Sequence, residues 1–126
     1  MKFTMKENGF SGELPFGSLD ISSNEEFGFR PYQLLVSSLA VCSGGVLRKV
    51  LDKMRMPAED IGIEVKEVVR IDEEAGRVAK VHLHFTLKGE IDENKMERVM
   101  ELTRKNCSMV RSVESSIEVI ETYEIA

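Results

Sequence analysis

One stretch decides the fold of this chain, Pro31–Met54, which reads PYQLLVSSLAVCSGGVLRKVLDKM. Its apolar residues recur in steps of three and four, the spacing that places side chains on one face of a helix. Pro31 suits the first helical turn, and Pro57 predicts the end of the helix because the residue before a proline is disfavoured in the α conformation. The stripe expected to be buried consists of Leu35, Leu39, Cys42, Val46, Val50 and Met54.

The middle of this helix carries small side chains, and Gly44 and Gly45 are adjacent. A glycine inside a helix costs about 1 kcal/mol relative to alanine. Two glycines in a row therefore predict that another backbone approaches the helix closely at this point.

The rest of the chain predicts strands on both sides of this helix. Short strands and turns are expected over residues 3–21, and a hairpin is expected from strands at 61–71 and 77–88. Asp92 is a suitable N-cap for a second helix, and a final strand is expected at 117–125. The resulting order predicts an α+β fold with N-terminal β-strands, a long central helix, a β-hairpin, a second helix and a C-terminal strand.

The buried faces of the predicted strands and of the second helix can also be read from the spacing of their apolar residues. We expect Ala79 on the buried face of the return strand, Thr103 on that of the second helix and Tyr123 on that of the last strand.

Composition narrows the class of protein. The 126 residues are 42% hydrophobic and 31% charged, which fits one domain over residues 1–126. The net charge of −5 argues against nucleic acid or an anionic membrane as a partner. No stretch approaches the roughly 20 apolar residues of a membrane span, and the N-terminus lacks the apolar core of a signal peptide. A cytoplasmic protein is expected.

The two cysteines, Cys42 and Cys107, both fall on apolar helix stripes. In a reducing compartment, such residues are either small core hydrophobes or a redox pair. Two cysteines alone cannot complete a structural zinc site. A disulfide needs the two Cα atoms within about 7 Å of each other, so the residue pattern leaves both interpretations open.

A second candidate pair is His82 and His84, at alternate positions of a predicted strand. They share that face with Lys80, Thr86 and Lys88, which is typical of a solvated surface. No third ligand is evident in the sequence, so neither a metal site nor a cofactor is expected.

Two segments resemble the OsmC/Ohr family. Arg30–Cys42, RPYQLLVSSLAVC, is similar to the family's central helix, in which a proline opens the helix and the reactive cysteine follows eleven residues later. Cys107–Val113, CSMVRSV, is similar to the Cys-Pro-Val-like turn that precedes the family's last strand.

The resemblance implies an OsmC-like, intertwined homodimer. It also implies a thiol-dependent peroxidase that reduces organic hydroperoxides in oxidative-stress defence, without metal or flavin. Cys42 is then the peroxidatic thiol, Cys107 forms a disulfide with it, and an external thiol or dihydrolipoyl-type reductant restores the pair.

A thiolate in apolar surroundings needs a cation to lower its pKa. Arg30 is the first candidate and Arg111 the second. Arg30 precedes Cys42 by twelve residues, about 18 Å along a helix axis. It would therefore act across the two-fold interface that the resemblance implies.

The chain departs from the peroxidase members of the family at two places. Tyr32 and Gln33 stand where those members carry a glutamate that orients the arginine, and Ser108 replaces the usual proline. The missing glutamate favours an alternative function: the same dimer as a non-catalytic binding module, with inert cysteines and an apolar interface pocket for a small ligand. Thiol reactivity distinguishes the two hypotheses.

Overall fold

The structure, a computed structural model, describes all residues from Met1 to Ala126. The chain forms two compact units, Met1–Ser37 and Ser38–Ala126. Two three-stranded sheets and three α-helices confirm the predicted α+β class. The expectation of a single domain over residues 1–126 stays a prediction.

The N-terminal unit contains an antiparallel sheet in the order β1-β2-β3. Its strands are β1 (Lys2–Lys6), β2 (Gly9–Glu13) and β3 (Ser18–Ile21). The loop after β3 folds back along that strand, because the N–H of Phe29 donates to the carbonyl of Asp20 at 2.9 Å. This unit leaves several large apolar side chains at least 46% exposed, namely Phe3, Met5, Phe10, Phe16, Phe27 and Phe29.

The central helix, α1, spans Pro31–Lys53, as the sequence predicted. The predicted buried stripe is wrong in part. Leu39 and Val50 are buried, whereas Leu35, Cys42, Val46 and Met54 are only half-buried. The buried face is rotated by about one residue, and its most deeply buried members include Leu39, Ser43, Leu47 and Leu51. Cys42 therefore lies at the edge of this face.

The two helical glycines have different surroundings. A Cβ atom on Gly44 would lie 2.5 Å from Cδ1 of Ile63, whereas a Cβ on Gly45 would meet nothing within 4 Å. The prediction of a close backbone neighbour is therefore wrong. A side chain from the C-terminal sheet makes the close approach, and it does so only at Gly44.

By length and composition, α1 could cross a membrane, which corrects the expectation that no stretch qualifies. In the structure, 44% of the most apolar stretch of this helix is buried inside the protein. A buried core helix meets the same criterion, so this property does not distinguish a membrane span from a core helix.

The C-terminal unit contains a sheet in the order β4-β5-β6. The strands β4 (Asp60–Ile71) and β5 (Arg77–Lys88) form the predicted antiparallel hairpin, and β6 (Glu118–Ile125) pairs in parallel with β5. A register shift near Val69 places Val78 on the buried face of β5, where Ala79 was predicted. The fully buried residues of β5 are Val81, Leu83, Phe85 and Leu87.

Two helices connect β5 to β6. The carboxylate of Asp92 accepts a hydrogen bond from the N–H of Asn94 at 3.0 Å, and the 3₁₀ turn that it caps leads into α2 (Met96–Asn106). Thr103 is buried as predicted, but Tyr123 on β6 is only half-buried. A short helix, α3 (Ser108–Val113), replaces the turn expected after Cys107.

Candidate active site

The C-terminal unit brings the two cysteines together. Cys42 lies in the middle of α1, and Cys107 lies in extended conformation between α2 and α3. Cys107 lies close enough to Cys42 for each thiol to shift the pKa of the other, and both residues are free thiols. Cys107 is fully buried, whereas Cys42 is half-buried. Cys42 is therefore the more exposed of the two cysteines.

The start of α3 supplies further hydrogen-bond donors to Cys42. The hydroxyl oxygen of Ser108 lies 3.7 Å from the Cys42 sulfur. The backbone N–H groups of Ser108 and Met109 also act on this sulfur and lower its pKa. The first N–H groups of a helix have no acceptor within that helix, so they are available to a neighbouring anion. A thiolate at Cys42 is thus surrounded by donors.

The two thiols differ in acidity. Burial raises the pKa of Cys42, but hydrogen bonds from Met109, Cys107 and Ser108 outweigh it and hold that pKa below its ordinary value. For Cys107, burial and the neighbouring Cys42 sulfur raise the pKa to about 11. Cys42 is therefore the more acidic of the two thiols.

The two predicted arginines are placed as follows. Arg111 binds the Glu114 carboxylate at 3.1 Å and the Lys105 carbonyl at 3.4 Å, and no hydrogen bond joins it to either thiol. Arg30 lies in the N-terminal unit with its guanidinium 4.8 Å from the ring centre of Tyr32. Its Nε atom is buried and has no hydrogen-bond acceptor. The activating roles assigned to Arg30 and Arg111 stay predictions.

Sequence reasoning missed a buried carboxylate that contacts the residue after Cys42. The side chain of Glu121 is only 5% exposed, and it accepts a hydrogen bond from the hydroxyl of Ser43, the residue after Cys42. Arg104 lies 3.3 Å from Glu121 and donates to the Val119 carbonyl at 2.7 Å. Glu121 continues the inward alternation of Val119, a signal that could have identified it.

The histidine pair belongs to a polar ladder rather than to a plainly solvated face. His82 and His84 lie 2.8 Å and 2.7 Å from the hydroxyl of Thr122, and the second ring nitrogen of His84 lies 3.1 Å from Glu124. No group of three or more His, Cys, Asp or Glu residues in the chain could hold a metal ion. The ladder links β5 to β6 by hydrogen bonds between side chains.

A family model described as OsmC-like protein matches residues 22–122. The chain belongs to the OsmC-like family. This confirms the family resemblance drawn from the two cysteine segments. No curated protein matches the sequence.

Solved structures share the OsmC-like fold over nearly the whole chain. A hypothetical protein from Aquifex aeolicus VF5 has a TM-score of 0.87 at 21% identity, with 99% of this chain and 93% of that chain covered. An OsmC-like protein from Mycoplasma pneumoniae has a TM-score of 0.87 at 13% identity, covering 99% and 94%. The organic hydroperoxide resistance protein OhrB of Bacillus subtilis has a TM-score of 0.69 at 19% identity, covering 98% and 96%. At these identities the likeness shows the fold alone.

Within this OsmC-like fold, Ser108 changes the chemistry of the second cysteine segment. A proline at this position has no N–H and no hydroxyl, so it could offer Cys42 neither of the two donors that serine supplies. The departure from the family pattern thus adds hydrogen bonds to the thiolate. The site as a whole places a half-buried cysteine of lowered pKa beside a buried cysteine of raised pKa.

Proposed function

We propose that this protein is a thiol-dependent peroxidase that reduces organic hydroperoxides with Cys42 and Cys107. The observation that carries the proposal is the proximity of two free cysteines, of which Cys107 is buried and the half-buried Cys42 has a lowered pKa. A redox-active pair requires this combination of acidity, exposure and contact. The solved structures of the fold that are described as organic hydroperoxide resistance proteins add support.

In the first proposed step, the Cys42 thiolate attacks one oxygen of the hydroperoxide. A sulfur–oxygen bond forms and the oxygen–oxygen bond breaks, so sulfur is oxidised to sulfenic acid. The alkoxide that leaves takes up a proton and departs as the alcohol. The donors from Ser108 and Met109 hold the thiolate in its charged form before attack.

In the second proposed step, Cys107 attacks the sulfenic acid at Cys42. A disulfide forms, the hydroxyl group leaves as water, and the thiol proton of Cys107 supplies the missing hydrogen. Contact between the thiols favours this step over further oxidation of Cys42. An external thiol or a dihydrolipoyl-type dithiol then reduces the disulfide by exchange. A cytoplasmic location, which keeps such reductants available, forms part of the proposal.

We propose Arg30 as the preferred cation for this site and Arg111 as the second choice. The buried Nε of Arg30 lacks an acceptor, so this donor is available to an anion. Arg111 is already neutralised by Glu114 at 3.1 Å, which makes it the weaker candidate.

We also propose that the protein is a homodimer. Exposed apolar side chains in both units support this, because monomeric proteins rarely leave such surface uncovered. The N-terminal unit exposes Phe16 fully and Phe29 by 56%, and β4 exposes Ile63, Val65 and Val69 by 36–40%. A second copy of the chain would cover these side chains, as the resemblance to the OsmC/Ohr family implies.

Mass spectrometry after one equivalent of an alkyl hydroperoxide tests the proposal. The parent protein is expected to lose two hydrogens and to yield a peptide pair joined by a Cys42–Cys107 disulfide. The Cys107→Ser variant is expected to consume peroxide and to accumulate oxygen adducts on Cys42. If Cys42→Ser consumes peroxide at the parental rate, the proposed nucleophile is wrong. If the parental thiols do not react, the non-catalytic binding module is the better function.

A further inference from the structure

A cleft of about 310 Å³ lies between the C-terminal half of α1 and the end of α2. Four apolar side chains line it, Val46, Val50 and Met54 from α1 and Leu102 from α2. Val50 is buried and the other three are half-buried. Water in such a cleft finds few polar partners, so the surface favours an apolar group in its place.

The cleft is also positively charged. Lys49 and Lys53 line it, and because they are four residues apart on α1 they lie on the same side of the helix. Both lysines are exposed, and neither takes part in an ion pair. No carboxylate lines the cleft, in a chain whose net charge is −5. The two lysines are thus the only charged residues that line the cleft.

We propose that this cleft binds an amphiphile with one alkyl chain and an anionic head group. The alkyl chain would lie against Val46, Val50, Met54 and Leu102, and the head group would lie between the ammonium groups of Lys49 and Lys53. The volume is at the lower end of the 300–1,000 Å³ typical of ligand pockets, which suits a single chain. The proposal does not depend on any reaction of the thiols.

Charge complementarity decides between this ligand and a purely apolar one. A neutral alkyl compound gains the same apolar contacts but leaves both lysines without a partner. An anionic head adds two charge-assisted contacts at the rim that the exposed lysines form. Decanoate is therefore expected to bind at least fivefold more tightly than decanol.

The test is an NMR titration of the uniformly ¹⁵N-labelled full-length protein with sodium decanoate, kept below its critical micelle concentration. Amide shift changes are expected to cluster at residues 46–54 and 102–106, with the same pattern in the Cys42→Ser variant. Shift changes confined to the N-terminal unit, equal affinity for decanol, or no binding would each overturn the proposal. If a second copy of the chain covered the cleft completely, decanoate would not bind.

Variants test the lysines and the apolar lining of the proposed site separately. The double variant Lys49→Gln/Lys53→Gln is expected to bind decanoate about fivefold more weakly while its affinity for decanol stays unchanged. Leu102→Asp places a carboxylate in the cleft and is expected to abolish decanoate binding. Lys95→Gln removes an exposed lysine outside the cleft and serves as the matched control. Unchanged decanoate affinity in the double lysine variant would contradict the assigned role of the lysines.

Discussion

The hydroxyl of Ser108 lies 3.7 Å from the sulfur of Cys42, so the first residue of α3 contacts a thiol in the middle of α1. The hydroxyl and the N–H of Ser108 both lower the pKa of Cys42. Ser108→Ala removes the hydroxyl, and Ser108→Pro removes the N–H as well. We expect the pKa of Cys42 to rise in the first variant and to rise further in the second.

The measurement is the rate of iodoacetamide alkylation of Cys42 as a function of pH. Only the thiolate reacts, so a higher pKa slows alkylation near neutral pH and leaves the rate at high pH close to the parental one. Ser112→Ala is the matched control, because this hydroxyl bonds the Ser108 carbonyl at 2.7 Å and not the thiol. Superimposable pH profiles for Ser108→Pro and the parent would show that Ser108 does not stabilise the thiolate.

Cys107 is expected to resist alkylation over the pH range in which Cys42 reacts. It is fully buried, and burial together with the Cys42 sulfur raises its pKa to about 11. Peptide mass mapping after alkylation at pH 8 should find the label on Cys42 alone, and unfolding in urea should expose Cys107 to label. Comparable labelling of both thiols in the folded protein would contradict the difference in burial and pKa between Cys42 and Cys107.

The acidity of Cys107 also predicts a pH dependence of stability. Because its folded pKa lies above the unfolded value, the folded state holds a proton that the unfolded state releases. In a Cys42→Ser background, this contribution to the free energy of unfolding is expected to be complete below the unfolded pKa. It should be lost progressively as the pH rises through the folded pKa of Cys107, which burial still raises when the Cys42 sulfur is absent. Urea titrations at pH 7 and pH 10 measure it, with the variant Cys42→Ser/Cys107→Ser as the control.

Long elements could be predicted from sequence because their periodicity extends over many residues. The bounds of α1 and of the β4–β5 hairpin follow from apolar spacing, proline positions and a polar turn. The six residues of α3 are too few for such a pattern to develop. The contact between Cys42 and Ser108 joins residues 66 positions apart, which no local rule can supply. The donors around the thiol were missed for this reason.

The buried face of α1 illustrates a second limit. Counting apolar residues placed Cys42 within the stripe, but Ser43 is fully buried and Cys42 is not. Ser43 can be buried because Glu121 accepts its hydroxyl hydrogen bond. Hydrophobicity alone cannot detect a polar side chain that is buried with its partner, so the predicted face was rotated by about one residue.

Gly44 and Gly45 form a matched pair for testing how tightly the sheet packs on α1. Gly45→Ala is expected to stabilise the protein by about 1 kcal/mol, because the new Cβ meets nothing within 4 Å. In Gly44→Ala the new Cβ lies 2.5 Å from Cδ1 of Ile63, so that side chain must move. We expect Gly44→Ala to be less stable than Gly45→Ala by about 1–3 kcal/mol in urea unfolding.

Ile63→Val removes the Cδ1 atom that Gly44→Ala would meet. The destabilisation by Gly44→Ala should therefore be smaller in the Ile63→Val background, which a double-mutant cycle measures. Additive effects of the two substitutions would show that the crowding at Gly44 has another source.

The ion pair of Arg104 with Glu121 is expected to stabilise the protein more than a surface ion pair does. Arg104→Ala leaves a nearly buried carboxylate with Ser43 as its remaining side-chain donor, and it should destabilise the protein by about 2 kcal/mol. The control is Arg98→Ala, since Arg98 and its partner Glu101 are 64% and 60% exposed and such pairs contribute about 0–1 kcal/mol. Equal losses of stability in the two variants would show that the Arg104–Glu121 pair contributes no more than an exposed ion pair.

Arg55 lies just after the end of α1, and its backbone conformation suggests a substitution that would stabilise the protein. Its φ of 61° is left-handed, a conformation that glycine adopts without the steric cost of a Cβ atom. The N–H of Met56 donates to the carbonyl of Leu51 at 2.9 Å, and that of Arg55 donates to Asp52 at 3.1 Å, the pattern in which glycine is preferred at the left-handed position. Arg55→Gly should raise the free energy of unfolding by about 0.5–1 kcal/mol. Arg48→Gly, in the interior of the same helix, should lower it by about 1 kcal/mol. A change of the same sign in both variants would mean that the helix does not end in this motif in solution.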